Sequence, residues 1–209
     1  MSIVLVGGAG EGLGAALGRR FSRTHEIVLA SRSQTGLGKV DLRNEDEVVA
    51  LFDRVEKHGP LEVAIFNAGA NFRASILDTP AQMFEKIWRL GCYAGFLFGR
   101  EAAKRMLARG KGTILFTGAT ASVRGASHFA AFAAAKGGLR QVAQSMAREL
   151  GPKNIHVAHV LIDGVIARKQ PEEGMLAPDA IAELFWQIHA QPRSAWTFEA
   201  DLRPWAEKF

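Results

Sequence analysis

Short apolar runs alternate with longer amphipathic segments along most of the chain. Segments with apolar residues at helical spacing separate the runs of strand length. Strands that are apolar throughout are buried on both faces, so their alternation with helices predicts a parallel sheet between two helical layers. The expected fold class is α/β, a three-layer doubly wound sheet in a single domain over residues 1–209. The strand runs are 2–6, 26–31, 61–67, 112–117, 154–162 and 195–202, and the helical segments are 12–22, 44–57, 81–108, 127–150 and 178–190.

The first apolar run leads directly into a glycine-rich stretch, GGAGEGLGAALG. Gly8, Gly12 and Gly14 follow the spacing G-x-x-x-G-x-G, with Leu13 between the last two. Glycines let a turn approach a pyrophosphate closely, and the helix that follows presents free N–H groups to the anion. Because the stretch follows a strand and opens a helix, it predicts a Rossmann-type dinucleotide site. The alternative is a tight turn with no ligand.

The second strand run ends at Ser31-Arg32, where a dinucleotide-binding fold contacts the adenosine ribose. Arg32 lies where a carboxylate would hold the free ribose hydroxyl of NAD, and an arginine there suits the 2′-phosphate of NADP. Glu11 places a negative charge in the glycine stretch and opposes that choice. We therefore expect NADP(H) as the preferred cofactor, with NAD(H) possible. An arginine on a surface loop is the other interpretation.

Further motifs follow the glycine stretch in a consistent order. They are Asp41-Leu42, Asn67-Ala68-Gly69, Lys136 and Asp163-Gly164-Val165-Ile166. In this order the chain resembles the short-chain dehydrogenase/reductase family over nearly its whole length. The resemblance implies that Asp41 and Leu42 lie near the adenine, and that Asn67, Ala68 and Gly69 line the nucleotide site. It also implies that Lys136 binds the nicotinamide ribose and that Gly164 and Ile166 lie beside the nicotinamide.

The resemblance carries expectations about architecture and partners as well. It implies a seven-stranded sheet in the order 3-2-1-4-5-6-7 and oligomers, homodimer or homotetramer, built through the long helices after strands 4 and 5. It also implies a small-molecule substrate, covered by a short lid around residues 167–177.

The chain departs from the family at its catalytic positions. Phe132 stands where the family has its tyrosine, four residues before Lys136, and Ala119 stands where it has its serine. Gly91 aligns with the family's asparagine. Since phenylalanine carries no exchangeable proton, the acid of the reaction must be replaced or absent. His128, placed one turn before Phe132, is the candidate replacement, although a surface or packing role is the alternative.

Composition and charge limit the classes of function and partner that we expect. The net charge of +5 comes from scattered basic residues, which does not favour nucleic-acid binding. Cys92 is the one cysteine, so neither an internal disulfide nor a metal–thiolate cluster is possible, no metal site is expected, and a reducing cytoplasm fits. No apolar stretch approaches about 18 residues and no signal peptide is recognisable, so we expect no membrane contact.

The sequence leaves two functions open. One is an NADP(H)-dependent oxidoreductase acting on a small carbonyl or alcohol, with water, the substrate or His128 supplying the proton. The other is a catalytically inactive dinucleotide-binding protein that acts as a sensor or binds a partner.

Overall fold

Six parallel strands form one sheet in the computed structural model, which describes residues 1–167 and 171–207. The strands are β1 (Ile3–Gly7), β2 (Glu26–Ala30), β3 (Leu61–Phe66), β4 (Gly112–Thr117), β5 (Ile155–Ile162) and β6 (Glu199–Leu202). Their order in the sheet is β2-β1-β3-β4-β5-β6, and every neighbouring pair is parallel. This is the predicted doubly wound α/β architecture.

Helices cover both faces of this sheet. They are α1 (Leu13–Phe21), α2 (Glu45–His58), α3 (Ala81–Trp88), α4 (Ala94–Arg109), α5 (Ala130–Leu150) and α6 (Pro178–His189). Successive strand residues point to opposite faces, so Val4 and Val6 pack with α1 and α6. Ile3 and Leu5 pack on the other side with α2, α4 and α5. Two hydrophobic cores result, which confirms the three-layer arrangement.

The expected seventh strand is absent from the described residues, so that expectation is wrong. Between β2 and α2 the chain makes a single bridge, Ser31 to Lys39, around a short 3₁₀ turn at Gly36–Gly38. A parallel strand needs a crossover of about a dozen residues or more, usually a helix. Between the end of β2 and Lys39 the chain makes only the 3₁₀ turn, which is too short for that crossover, so β2 is the edge strand.

Three element boundaries differ from the sequence prediction in informative ways. The helical segment predicted over 81–108 contains a π-helical turn, Arg89–Tyr93, between α3 and α4. The helix predicted from residue 127 begins at Ala130, because His128 takes the left-handed conformation, with φ 68°. The last strand is confined to β6 because Arg193–Ala195 form a 3₁₀ turn. Residues 168–170 of the expected lid lie outside the described residues.

The carboxyl ends of the strands gather at one edge of the sheet, and this edge positions the candidate site. β1 lies between β2 and β3, so successive crossovers leave it in opposite directions. Such a switch point opens a crevice above the strand ends, which is where ligands bind in sheets of this type. In the part of the chain that the structure describes, helices are too short or too polar to cross a lipid bilayer.

Candidate active site

Two adjoining cavities occupy the crevice at the carboxyl edge of the sheet. The smaller has a volume of about 240 Å³ and the larger about 700 Å³, and Asn67 and Gly69 line both. Most of the residues predicted to bind a dinucleotide line one cavity or the other. They are Gly8, Ser31, Arg32, Asp41, Leu42, Asn67, Ala68 and Gly69 in the smaller, and Leu13, Asn67, Gly69, Lys136, Gly164 and Ile166 in the larger.

The glycine-rich turn between β1 and α1 borders both cavities. Gly8 has φ 87°, and a Cβ atom there would lie 2.4 Å from the backbone nitrogen of Ala68. A Cβ on Gly14 would lie 2.7 Å from the Cα of Ala9, so both positions are closed to larger residues. At Gly12, the residue before α1, a Cβ would meet nothing within 4 Å, and no side chain caps the helix. The turn therefore offers uncapped N–H groups beside open space, which suits an anion.

The smaller cavity has a cationic rim. Arg32 is exposed at its edge, and the hydroxyl of Ser31 lies 3.0 Å from that of Ser33. Asp41 on the same wall accepts two hydrogen bonds from the guanidinium of Arg43 and one from its backbone nitrogen, and these contacts lower the pKa of Asp41 to about 2. The negative charge of Asp41 is thus already paired with the guanidinium of Arg43. Among the described residues no ion pair joins Glu11 to Arg32, so the guanidinium is not drawn away by that carboxylate.

The larger cavity brings together the three positions that correspond to the family's tyrosine, serine and lysine. Phe132, Ala119 and Lys136 all contribute to its wall. Lys136 is buried, and its Nζ donates a hydrogen bond of 2.7 Å to the carbonyl oxygen of Thr117 at the end of β4. Burial lowers the pKa of Lys136 to about 8. The lysine is therefore held in place, while its neighbours Phe132 and Ala119 provide no acid.

The burial of Lys136 predicts that Lys136→Met stabilises the nucleotide-free protein at pH 7. A lysine whose folded pKa falls from 10.5 to about 8 carries a charging penalty on the order of 3 kcal/mol, which is at least as large as the roughly 1.5–3 kcal/mol of a hydrogen bond from a charged donor. Methionine in addition buries an apolar side chain. We expect the melting temperature to rise by several degrees.

The pH dependence provides the check on this prediction. Between pH 8 and 10.5 the unfolded chain holds the proton that the folded chain has lost, so wild-type stability increases with pH and the advantage of Lys136→Met shrinks. Thermal denaturation at pH 7 and pH 10 measures it. Lys57→Met, at an exposed lysine, is the control. A Lys136→Met protein less stable than wild type at pH 7 contradicts the prediction.

Gly91, which aligns with the family's asparagine, leaves no room for a side chain. A Cβ built at this position would lie 2.9 Å from the Cβ of Ala135 on α5. The π-helical turn brings the backbone close to α5 here. The packing therefore requires glycine at this position, because an asparagine side chain would push α5 away.

Other polar side chains of the larger cavity have no counterpart among the residues predicted from sequence. The hydroxyl of Thr120 donates to Asp163, which is buried and lies 3.3 Å from the guanidinium of Arg203. Asn71 and Glu207 line the same cavity. Thr120 and Asn71 closely follow strand ends, which is the available signal. The contribution of the C-terminal segment depends on tertiary packing and has no local signature.

His128 does not lie where its spacing from Phe132 predicts. It is exposed, precedes α5 in the left-handed conformation, and its carbonyl oxygen accepts a hydrogen bond from the backbone of Ala74. It is also not among the residues that line either cavity. The expectation that it shares a helix face with Phe132 is wrong, because the helix starts two residues later. Its role as a proton donor stays a prediction that the geometry does not support.

Comparisons with known proteins give a consistent picture. The family model described as short chain dehydrogenase matches residues 2–170. The 3-oxoacyl-(acyl-carrier-protein) reductase MabA of Mycobacterium tuberculosis is 31% identical over 170 residues, which cover 78% of this chain and 68% of that protein. The crystal structure of a short-chain dehydrogenase from Rhodopseudomonas palustris is 47% identical, with a TM-score of 0.87 over 98% of this chain and 99% of that one. A metagenomic short-chain oxidoreductase in complex with NADP shares the fold, at 24% identity and a TM-score of 0.85 over 97% of each chain.

Proposed function

Because the chain belongs to the short-chain dehydrogenase/reductase family, we propose that it is an NADP(H)-dependent oxidoreductase acting on a small carbonyl compound or its alcohol. One observation carries the proposal. Most of the predicted nucleotide residues, although far apart in sequence, line two cavities that meet at Asn67 and Gly69 over the switch point of the sheet; Gly12 and Gly14 line neither. A dinucleotide has two halves joined by a pyrophosphate, which matches two cavities beside a glycine turn.

Each part of the cleft has a role in this proposal. The uncapped start of α1 and the turn at Gly8 hold the pyrophosphate, and Arg32 with Ser31 holds the 2′-phosphate. Lys136, held by its hydrogen bond to the carbonyl oxygen of Thr117, donates from α5 to the nicotinamide ribose. When bound, the nicotinamide supplies the hydride. Phe132 forms an apolar wall of the larger cavity, which excludes water from one side of the reacting carbon.

The source of the proton separates this protein from its family. Phe132 and Ala119 have no exchangeable side-chain proton, and the hydroxyl of Thr120 is already donated to Asp163. We infer that water or the substrate itself supplies the proton. Losing a positioned acid costs about 10²- to 10⁴-fold in rate, so turnover is expected to be slow for an ordinary ketone.

A second function is favoured by the same substitutions. If the larger cavity accepts no carbonyl substrate, the protein binds the dinucleotide without turnover and acts as a sensor or binds a partner. Both functions require nucleotide binding, and oxidation of NADPH with some member of a carbonyl panel occurs only under the first.

Nucleotide preference provides the direct test. We expect NADPH to raise the melting temperature more than NADH does, since a ligand of the native state stabilises it. Arg32→Ala should lower the affinity for NADPH about 10- to 100-fold, because one charge-assisted hydrogen bond is lost, and should leave the affinity for NADH unchanged. Thermal shift with NAD, NADH, NADP and NADPH in parallel measures both, with Arg148→Ala on α5, away from the cleft, as the control.

The outcomes of this experiment are distinct. Stabilisation of the wild type by NADH alone would show that the preference for NADP(H) is wrong but that the cleft binds nucleotide. No stabilisation by any of the four would remove the proposed function.

We also propose a homodimer or homotetramer through the long helices. Trp88 on α3 and Phe96 on α4 are large apolar residues that remain 37% and 39% exposed in the single chain. Sedimentation velocity of the purified chain measures the assembly.

A further inference from the structure

Three potential metal ligands meet at the edge of the sheet opposite the cleft. His25 immediately precedes β2, Glu62 is the second residue of β3, and His189 ends α6. One nitrogen from each imidazole and one carboxylate oxygen lie within 4.8 Å of one another. The Nε2 atom of His25 is 3.7 Å from the Oε2 atom of Glu62.

Hydroxyl groups lie within hydrogen-bond distance of one nitrogen of each imidazole ring. The Nδ1 atom of His25 lies 2.8 Å from the hydroxyl of Thr24, and the Nδ1 atom of His189 lies 2.9 Å from the hydroxyl of Thr113. The hydroxyl of Thr24 donates a long hydrogen bond, 3.4 Å, to the carbonyl of Phe21. It therefore accepts from Nδ1 of His25, which leaves a lone pair on Nε2. Histidine ligands of metal ions are oriented by this kind of outer hydrogen bond.

The surroundings of the cluster favour a neutral His189 beside a charged Glu62. Burial lowers the pKa of His189 to about 4, and the neighbouring His25 acts in the same direction. Burial alone would raise the pKa of Glu62, but a hydrogen bond from Ser2 and the nearby basic groups lower it on balance. Neutral imidazole and ionised carboxylate are the forms that bind a metal.

We propose that His25, Glu62 and His189 form a binding site for a divalent first-row transition metal, with Zn²⁺ as the preferred ion. Two imidazole nitrogens and one carboxylate oxygen form a donor set that zinc accepts. With metal bonds near 2.1 Å, the ligand atoms of a tetrahedral site lie roughly 3.4 Å apart. The three ligand atoms lie within 4.8 Å of one another, so side-chain movements of about 1 Å would bring them to that separation. A cavity of about 160 Å³ that borders Glu62 and His189 leaves a fourth position for water.

The position of the site indicates what the ion would do. A metal held there would join the turn after α1, the start of β3 and the end of α6, three segments far apart in the chain. Phe21 and Trp186 pack with both histidine rings, so the site is shielded on its apolar side. The carboxyl ends of the strands, where the cleft lies, are at the other edge. We therefore assign the ion a structural role, independent of nucleotide binding.

The sequence predicts no metal site because the three ligands share no short spacing. His25, Glu62 and His189 come from separate elements, and only the parallel sheet aligns the starts of β2 and β3.

The test uses untagged protein freed of metal by a chelator. We expect calorimetry with ZnCl₂ to show one site and MgCl₂ to show none, and Co²⁺ to give the visible absorption of a tetrahedral complex that Zn²⁺ removes. Glu62→Gln and His189→Gln should each lower the affinity for Zn²⁺ by at least roughly 100-fold. This is more than the loss of a hydrogen-bond partner behind a ligand would cause. His58→Gln, at an exposed histidine of α2, should bind as the wild type does.

Two milder substitutions keep the proposal testable if a ligand variant fails to fold. Thr113→Val removes the hydrogen bond to His189 and should weaken zinc about 10- to 100-fold. Lys111→Met removes an exposed cation that acts on Glu62 and should tighten zinc several-fold. Absence of zinc binding by the wild type overturns the proposal. Zinc binding that Glu62→Gln, Thr113→Val and Lys111→Met all leave unchanged overturns it as well, because the ion then lies elsewhere.

Discussion

Replacing Phe132 with tyrosine and Ala119 with serine in the same chain is expected to raise NADPH-dependent carbonyl reduction by about 10²- to 10⁴-fold, the contribution of a positioned acid. Both residues line the larger cavity, and Phe132 lies one helical turn before Lys136 on α5. A tyrosine hydroxyl placed there has the charged Lys136 nearby, which favours its ionised form. We therefore expect the two missing hydroxyl groups to be the main limit on the rate, although the side chain absent at Gly91 is not restored by these substitutions.

Steady-state rates of NADPH oxidation over a panel of aldehydes and ketones measure the gain. Phe129→Tyr is the matched control, since Phe129 lines the same cavity and gains the same hydroxyl, but lies outside α5 and away from the turn that holds Lys136. The double variant should show a pH profile with a new ionisation that neither the wild type nor Phe129→Tyr has. A double variant that binds NADPH and still reduces nothing would mean that the cavity accepts no carbonyl substrate. Binding without turnover would then be the better function.

The nucleotide-binding part of the cleft could be predicted from sequence because its segments have local signatures. A strand followed by a glycine turn and a helix defines the pyrophosphate end, and residues at strand ends are brought together by any parallel sheet. The order of the motifs along the chain then predicts which residues of the cleft come from each strand end. This reasoning holds for Asn67, which directly follows β3, whereas Lys136 reaches the cleft from α5 and its place there is implied by the family resemblance.

The failed predictions concern features that depend on exact backbone geometry or on distant packing. The spacing alone predicts that His128 lies in the same helix as Phe132, one turn earlier. The left-handed conformation of His128 instead places it before the helix, which begins at Ala130. The seventh strand is implied by the family resemblance, and the short connection before Asp41 allows only one bridge. The contact between Asp163 and Arg203 joins β5 to the segment after β6, and periodicity gives no sign of it.

The pyrophosphate position makes the strongest binding prediction, and Gly10 is the residue that tests it. Gly10 lines the smaller cavity, is exposed, and a Cβ there would meet nothing within 4 Å, so a side chain fits without disturbing the turn. Gly10→Asp places a carboxylate beside the proposed phosphates. Two like charges about 4 Å apart near a protein surface repel by up to roughly 4 kcal/mol, so we expect at least a 100-fold loss of affinity for both NADPH and NADH.

Gly10→Asn is the control that separates charge from size, because it has the same shape as Gly10→Asp and no charge. Calorimetry of both variants with NADPH, at low and high salt, measures the difference. Screening by salt should narrow the difference in affinity between Gly10→Asp and Gly10→Asn. If the glycine stretch were only a tight turn, the two variants would bind nucleotide equally. That equality would place the phosphates elsewhere and contradict the assignment of the cleft, whereas a loss confined to Gly10→Asp locates the pyrophosphate at the start of α1.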